Sequence, residues 1–220
     1  MSESRLNDRY RQKLVKCYGA LLTARLGTGS SGNVSSRIAD GMLITPTGAS
    51  PENMQPDQLV SMSLNGKVDQ GQLLPSSEWH MHAAVYKARP DIGAIVHCHS
   101  RFATSLACTG RAIPAIHYMI AVTGQAEIPL VPYATFGTEA LASSAAQGLA
   151  EGRACLLANH GQLAAGEDLD IALRVAVEVE ELAAIYWHTL AVGQEQILTT
   201  QQMEEVEEAF VNYGQQRDPL

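Results

Sequence analysis

Three histidines lie at the ends of two short apolar runs: His97 and His99 close the first run, and His160 closes the second. If the first run is a strand, its side chains alternate between two faces, so His97 and His99 point the same way. Two imidazoles on one face, with a third nearby, could bind a metal ion and leave one position open, as catalytic zinc sites do. An isolated His-x-His is more often a pair of polar residues where a strand meets a loop. The third histidine and a nearby carboxylate favour the metal site.

Glu78 is that carboxylate, and it falls in the first turn of a helix predicted over residues 76–89. An acidic side chain at this place could simply interact with the helix dipole. Because Glu78 stands beside Ser76 and Ser77, which are candidate anion-binding residues, and precedes the histidine pair, we interpret it as the catalytic acid/base.

His80 and His82 form a second His-x-His motif, this time inside the predicted helix. Residues two apart on a helix point about 200° apart, so these two imidazoles cannot bind one ion together. We interpret both as structural residues, and the same interpretation applies to His188 in a later predicted helix.

Three segments rich in glycine and hydroxyl groups could bind an anion. The first, residues 27–32, fits G-x-G-x-x-G, but it follows a helix and opens a strand, the reverse of the order in dinucleotide folds. It could be a plain connecting turn or a nest of backbone N–H groups. The second contains Thr47 and Gly48, and the third is Ser76-Ser77, where a helix start favours a phosphate. The sequence holds no P-loop, so it does not indicate nucleoside triphosphate chemistry.

The elements that must position these residues mix helices and short strands without regular βαβ alternation. Helices are predicted over residues 3–26, 76–89, 101–109, 138–151, 168–191 and 201–213. Strands are predicted near residues 33–38, 41–45, 58–63, 92–98, 112–117, 128–132, 154–158 and 162–165, with Asn65-Gly66 as a hairpin turn. We therefore expect a single α/β domain over residues 1–220, with a central, largely antiparallel sheet flanked by helices.

The composition narrows the classes of function. The chain has 220 residues, of which 46% are hydrophobic and 17% charged, which is typical of a globular protein. Its net charge of -8 argues against nucleic acid as a partner. Four cysteines without a Cys-x-x-Cys motif indicate reduced thiols, and hence a cytoplasmic protein. We find no secretory h-region and no apolar run of membrane length, so neither secretion nor membrane insertion is expected.

Taken together, these residues resemble the class II aldolase/adducin family. The resemblance covers nearly the whole chain, and Phe210 and Tyr213-Gly214 also fit it. Its motifs keep their order along the chain: residues 30–35 (Ser-Ser-Gly-Asn-Val-Ser), 45–48 (Thr-Pro-Thr-Gly), 76–79 (Ser-Ser-Glu-Trp), 97–99 (His-Cys-His), 113–119 (Ile-Pro-Ala-Ile-His-Tyr-Met), 132–137 (Pro-Tyr-Ala-Thr-Phe-Gly) and 159–161 (Asn-His-Gly).

The resemblance implies a set of site residues. It implies zinc bound by His97, His99 and His160, with Glu78 near or on the metal ion in the resting enzyme. The phosphate-binding residues that it implies are Gly32, Asn33, Thr47, Gly48, Ser76 and Ser77. It also implies a homotetramer with cyclic four-fold symmetry and active sites at subunit interfaces. Tyr118 would then reach the site of a neighbouring subunit, and Tyr213 in the C-terminal tail would help to close it.

The reaction implied is the zinc-dependent cleavage of a sugar phosphate, a ketose 1-phosphate, to dihydroxyacetone phosphate and a short aldehyde. L-fuculose 1-phosphate is the first candidate substrate, and its aldehyde product would be L-lactaldehyde. Zinc would act as a Lewis acid on the charge that develops when the C3–C4 bond breaks, so no Schiff-base lysine is needed. Glu78 would transfer the proton at the enediolate carbon, and Tyr118 would protonate or hydrogen-bond the aldehyde oxygen.

Four alternatives stay open within this resemblance. An aldolase for 5-deoxyribulose or methylthioribulose 1-phosphate would use closely similar chemistry. An L-ribulose-5-phosphate 4-epimerase is disfavoured because that enzyme carries an aspartate where Glu78 stands. A sugar-phosphate dehydratase of the same fold is a weaker alternative. A non-catalytic, adducin-like interaction domain would need none of the three metal histidines.

Overall fold

The structure is a computed structural model, which describes the backbone of residues 3–211 and the side chains of residues 8–210. Within that range seven strands form one sheet: Asn33–Ile38 (β1), Gly41–Ile44 (β2), Val60–Met62 (β3), Ala94–Cys98 (β4), Leu130–Val131 (β5), Ala154–Leu157 (β6) and Gly161–Gly166 (β7). Their spatial order is β3-β2-β1-β4-β7-β6-β5. Every neighbouring pair is antiparallel except β5 and β6, which are parallel. The predicted α/β class with a largely antiparallel sheet is confirmed.

Six α-helices flank the sheet in the described part of the chain. They are Glu3–Thr23 (α1), Trp79–Ala88 (α2), Arg101–Cys108 (α3), Glu139–Gly148 (α4), Leu169–Val192 (α5) and Thr200–Val211 (α6), and short 3-10 helices cover Pro56–Gln58 and Tyr118–Thr123. Side-chain caps fix two of the starts: Thr138 accepts from the backbone N–H of Leu141, and Asp168 accepts from the backbone at the start of α5. None of these helices is long and apolar enough to span a bilayer.

Helices cover the sheet on both faces, so the central strands are buried throughout. On one face Val96 of β4 packs in a core with residues of α1, α3 and α5, such as Tyr18 and Val175. On the other face Ile95 packs in a core that includes Val85 of α2 and Leu141 of α4. Because side chains alternate along a strand, odd-numbered residues of β4 face α2 and α4. This alternation directs His97 towards the start of α2.

Two local predictions were wrong. Helix α2 begins at Trp79 rather than near Ser76, because Ser76 instead forms a turn in which its hydroxyl accepts from the backbone N–H of Glu78 at 3.3 Å. The strand predicted over 112–117 shrinks to an isolated bridge between Ile113 and Ile128. Pro114 has no N–H group for a sheet hydrogen bond, which explains why this strand does not extend.

Candidate metal centre

Strand β4 delivers two of the three candidate histidines. His97 is the fourth residue of β4, opposite Asn33 of β1 and Leu163 of β7, and its side chain is completely buried. His99 follows directly after the strand and is partly exposed. The two imidazoles lie on the same side, with Nε2 atoms 3.0 Å apart. The one-face arrangement predicted for His97 and His99 is therefore present.

The turn between β6 and β7 supplies the third histidine. Asn159 has a φ of 54°, in the left-handed region that asparagine tolerates better than most residues, and it turns the chain so that His160 faces the end of β4. Gly161 allows the close approach: a Cβ atom there would lie 2.5 Å from the carbonyl oxygen of Cys98 and 2.9 Å from His99 Cδ2. The short turn and the small residue together bring His160 against His99.

The three imidazoles form a nearly equilateral cluster. Their ring centroids are 4.8 to 4.9 Å apart in every pair. Glu78 joins them, because its Oε2 lies 3.2 Å from His97 Nε2 and its Oε1 lies 3.2 Å from His160 Nε2. One ligand atom from each of these four residues fits within 4.8 Å of the others. Three nitrogens and a carboxylate converging in this way could hold a divalent metal ion.

A hydrogen bond orients the His97 ring, and burial favours a neutral His99. The backbone carbonyl oxygen of Gln162 can only accept, so His97 donates to it from Nδ1 at 2.9 Å and turns its Nε2 into the cluster. Burial, followed by the charges of His97 and His160, lowers the pKa of His99 to about 4, which favours its neutral form. Glu78 Oε1 is buried and accepts no hydrogen bond from the described residues. The cluster thus combines a buried, unsatisfied carboxylate oxygen with three converging imidazoles, so these four side chains fit a bound metal ion.

Glu78 is a buried carboxylate, 8% exposed, at the residue that precedes α2. Burial raises its pKa, but the interactions with His97 and His160 outweigh burial and hold the pKa below its usual range. Asn33 donates from Nδ2 to Glu78 Oε2 at 2.9 Å and fixes the carboxylate from the other side. Glu78 is therefore ionised at neutral pH and ready to accept a proton or bind a cation.

A cavity of about 320 Å³ opens beside the histidine cluster. Glu78, His99 and His160 form part of its wall. The six predicted phosphate-binding residues also line it: Gly32, Asn33, Thr47, Gly48, Ser76 and Ser77. Among its lining residues there is neither lysine nor arginine, so an anion there would meet backbone N–H groups, hydroxyls and an amide.

Larger surface depressions, of about 770 and 760 Å³, lie by the hairpin between β1 and β2, next to Asp40 and Ser63. They are open grooves that contain no histidine, and none of the four residues of the candidate metal cluster lines them. The smaller cavity is lined by residues of the histidine cluster and by Glu78, so it is the candidate site.

Comparison with known proteins agrees with this geometry. Residues 12–187 match the family described as "Class II Aldolase and Adducin N-terminal domain". The chain belongs to this family. Its relatives include enzymes named as aldolases, and the chain is a metal-dependent aldolase, a carbon–carbon lyase of class II. The resemblance predicted from the motifs is thus confirmed at the level of family and reaction class.

Relatives of two kinds match this class II aldolase over most of their length. A 5-methylthioribulose-1-phosphate/5-deoxyribulose-1-phosphate aldolase of Rhodospirillum rubrum is 44% identical over 204 residues, 93% of this chain and 92% of that protein. An L-fuculose phosphate aldolase of Haemophilus influenzae is 46% identical over 204 residues, 92% and 94% of the two chains. A solved L-fuculose 1-phosphate aldolase superposes with a TM-score of 0.88 at 39% identity, covering 96% of this chain and 98% of its own.

One predicted residue of the aldolase, Tyr118, does not line this cavity within the single chain. Tyr118 begins the 3-10 helix Tyr118–Thr123, is 49% exposed and stacks on Phe210 with ring centroids 6.3 Å apart. It is absent from the lining of the cavity that holds Glu78. Tyr213 lies outside the described residues.

Sequence reasoning missed one residue near the aldolase site. His82 is fully buried and hydrogen-bonds to Asn33, the residue that holds Glu78. The signal was its spacing, since Glu78 and His82 are four apart and share a helix-like face. His80 points elsewhere and stacks on Trp79, with ring centroids 3.8 Å apart.

Proposed function

We propose that this chain is a zinc-dependent aldolase that cleaves L-fuculose 1-phosphate to dihydroxyacetone phosphate and L-lactaldehyde. The observation that carries this proposal is the position of Glu78, a buried carboxylate that belongs both to the histidine cluster and to the wall of the cavity. A single acid/base thus lies between a metal site and a pocket of hydroxyl and backbone donors, as cleavage of a phosphorylated ketose requires. The names of the fuculose phosphate aldolase relatives support this substrate.

His97, His99 and His160 are the proposed zinc ligands, with Glu78 as a fourth in the resting enzyme. Imidazole suits zinc and several other divalent ions, and the open side of the cluster faces the cavity. When bound, zinc supplies electrostatic stabilisation of the negative charge that develops on the substrate oxygens as the C3–C4 bond breaks. The hydrogen bond from His97 to the Gln162 carbonyl keeps that ring oriented for its task.

The phosphate group is proposed to sit among Gly32, Asn33, Thr47, Gly48, Ser76 and Ser77. Thr47 and Ser77 are exposed and offer hydroxyls, whereas Gly32 and Gly48 have positive φ angles and could offer backbone N–H groups. Asn33 uses one amide N–H for Glu78, so a second N–H remains for the substrate. None of these donors carries a positive charge. They would bind the phosphate without forming an ion pair with the nearby Glu78 carboxylate.

Proton transfer falls to Glu78 and Tyr118 in this proposal. As the C4 hydroxyl becomes the aldehyde oxygen, its proton passes to the ionised Glu78, and Tyr118 contacts that oxygen by a hydrogen bond. The electron pair of the broken C3–C4 bond stays on the dihydroxyacetone phosphate fragment, and Glu78 then delivers the proton to C3. Tyr213 is proposed to close the site over the substrate. The four lysines of the chain, Lys13, Lys16, Lys67 and Lys87, are all absent from the cavity, so a Schiff base has no support.

Assembly is proposed to complete the site. Tyr118 is exposed and does not line its own cavity, which supports a cyclic homotetramer in which Tyr118 and Tyr213 of one subunit reach the site of the next. Light scattering should give four times the chain mass. Tetramers co-assembled from Glu78→Gln and Tyr118→Phe subunits should regain activity, because some interfaces then hold both native residues. Hybrids as inactive as the parents would contradict the shared site.

A second candidate substrate has its own support. The Rhodospirillum rubrum relative acts, by its name, on 5-methylthioribulose and 5-deoxyribulose 1-phosphates, and it matches this chain about as well as the fuculose phosphate aldolases do. All three substrates share the phosphorylated end and differ in the aldehyde that leaves. The choice between them therefore lies with residues on the aldehyde side, such as Tyr133 and Phe136, which are exposed at the cavity mouth.

A substrate panel tests the proposal. Protein stripped with a chelator and given back zinc should release dihydroxyacetone phosphate from L-fuculose 1-phosphate faster than from the 5-deoxyribulose and 5-methylthioribulose 1-phosphates. Faster release from one of the latter two would move the substrate and keep the chemistry. Interconversion of L-ribulose 5-phosphate and its C4 epimer without release would replace cleavage by epimerisation. Zinc without any turnover would contradict the proposed chemistry.

A further inference from the structure

A row of buried polar side chains joins strand β1 to helix α2 behind Glu78. Along β1, Asn33 and Ser35 share one face because they are two residues apart. Glu78, which precedes α2, and His82 and Tyr86 on α2 are spaced four apart. Two strand residues rise about 6.6 Å and four helix residues about 6 Å, so the two rows stay in register. We call Asn33, Ser35 and His82 the polar ladder.

The ladder is continuous and dry. Asn33 Nδ2 donates to Glu78 Oε2 at 2.9 Å, and Asn33 Oδ1 lies 2.6 Å from His82 Nε2. Ser35 Oγ lies 2.7 Å from His82 Nδ1 and 2.8 Å from the Tyr86 hydroxyl. Asn33, Ser35 and His82 are 4%, 0% and 0% exposed, so these bonds form among protein groups alone.

A single arrangement of hydrogens satisfies every bond. The Glu78 carboxylate only accepts, so Asn33 turns its amide nitrogen to Glu78 and its carbonyl oxygen to His82. That oxygen also only accepts, so His82 carries its hydrogen on Nε2. Burial lowers the pKa of His82 to about 3, so the ring is neutral and its Nδ1 accepts from the Ser35 hydroxyl. Tyr86 in turn donates to Ser35.

We propose that His82 is a positioning residue for Glu78: it locks the Asn33 amide with Nδ2 towards the carboxylate, and Ser35 locks His82 in the Nε2–H tautomer. This inference rests on the proposed function, in which Glu78 transfers a proton. If the ring adopted the other tautomer, its bare Nε2 would repel Asn33 Oδ1, and the amide would turn its oxygen towards Glu78. Two acceptors would then face each other beside the metal site.

A purely structural role for His82 predicts a different outcome. Buried polar networks are often no more stabilising than apolar side chains of the same volume. If the ladder only filled the core, His82→Leu could change the stability of the fold but would leave the turnover of folded, metal-loaded protein unchanged. If the ladder positions Glu78, turnover falls while substrate binding and metal content hold.

The first experiment reads the tautomer without any substrate. Metal-loaded protein labelled with 15N in its seven histidines is examined by long-range 1H–15N correlation, and the His82 signals are assigned by their loss in His82→Gln. We expect the Nε2–H tautomer in the native chain, and growth of the Nδ1–H form in Ser35→Ala. A native Nδ1–H tautomer would overturn the proposal, whatever the enzyme cleaves.

The second experiment separates positioning from folding. His82→Leu should lower kcat about tenfold or more, with KM and bound metal close to native. His82→Gln keeps an amide donor for Asn33 Oδ1 and should recover most of that loss. Leu and Gln variants of equal activity would overturn the proposal. If His82→Leu does not fold, Ser35→Ala serves instead, and full native kcat in that variant together with an unchanged tautomer would overturn it.

Two controls, a matched histidine variant and the native chain, distinguish a failure of the His82 inference from a failure of the proposed function. His188 is exposed on α5 and lies outside both the cavity and the ladder, so His188→Leu should keep native kcat. If the native chain cleaves none of the ketose 1-phosphates, the proposed function fails, while the tautomer experiment still decides whether Ser35 and His82 hold Asn33.

Discussion

His97 Nδ1 donates a hydrogen bond of 2.9 Å to the backbone carbonyl oxygen of Gln162, on the adjacent strand β7. A backbone acceptor cannot be removed by changing a side chain, so the pairing of β4 with β7 itself fixes which nitrogen of His97 faces the cluster. The sheet thereby sets the orientation of the buried ligand, and the exposed end of the cluster remains open to the cavity.

The cluster predicts a clear difference between two histidine variants. His160→Ala removes one of three converging imidazoles and should lower zinc affinity about tenfold or more, because two histidines and Glu78 remain. His188→Ala, on the exposed face of α5, should bind zinc as the native chain does. Metal content after dialysis against a competing chelator measures both. Equal zinc in the two variants would remove His160 from the ligand set.

Replacing the carboxylate should separate metal binding from turnover. Glu78→Gln keeps the size of the side chain and leaves the three imidazoles in place, so the variant should retain zinc. Its kcat should fall by about 10²- to 10⁴-fold, the usual contribution of a positioned acid/base. Glu151→Gln, an exposed carboxylate in a loop, is the control and should be fully active. Native turnover in Glu78→Gln would remove Glu78 from the mechanism.

The local features of this site follow from the sequence, and the contacts between distant segments do not. Strand alternation is enough to place His97 and His99 on one side, since it needs only neighbouring residues. The approach of His160 depends on the β6–β7 turn and on the pairing of β7 with β4. His82 was interpreted as structural because the 200° argument separates it from His80 but does not say what it faces.

In the fold, too, local elements could be predicted from the sequence better than features that depend on backbone hydrogen bonds. The hydrophobic and turn patterns place most helices and strands, and the mixture of elements predicts the antiparallel α/β sheet. The strand predicted over 112–117 was wrong. It was predicted from apolar residues, and an apolar pattern does not reveal that Pro114 lacks the N–H group needed for a sheet hydrogen bond. The start of α2 was wrong because Ser76 formed a turn with Glu78 rather than a helix cap. Side chain to backbone competition of this kind is decided by tertiary contacts.

Gly161 should matter for metal binding although it carries no ligand. A methyl group there would lie 2.5 Å from the Cys98 carbonyl oxygen and 2.9 Å from His99 Cδ2, so Gly161→Ala must displace β4 or the His99 ring. Zinc affinity should drop about tenfold or more. Gly19→Ala is the matched control, because its new methyl meets only the Pro51 oxygen at 3.8 Å. That variant should gain about 0.5–1 kcal/mol of helix stability. Equal zinc affinity in both variants would contradict the argument from close approach.

The buried His82 should make the stability of the fold depend on pH. Burial, with the charge of His97, lowers its pKa from 6.5 to about 3. At intermediate pH the unfolded chain binds a proton that the native state does not. The stabilising contribution is therefore fully present above about pH 6.5 and is lost as the pH falls towards 3, by about 1.4 kcal/mol per pH unit.

His82→Gln lacks this titrating group and isolates its contribution. We would measure the free energy of unfolding in urea for both metal-loaded proteins at about pH 7, 6 and 5. Metal release and the other titrating groups are common to the two proteins, so they cancel in the difference. Native stability should fall more steeply than that of the variant as the solution is acidified. Parallel curves would mean that His82 is protonated in the native state, and its Nδ1 could then no longer accept from Ser35.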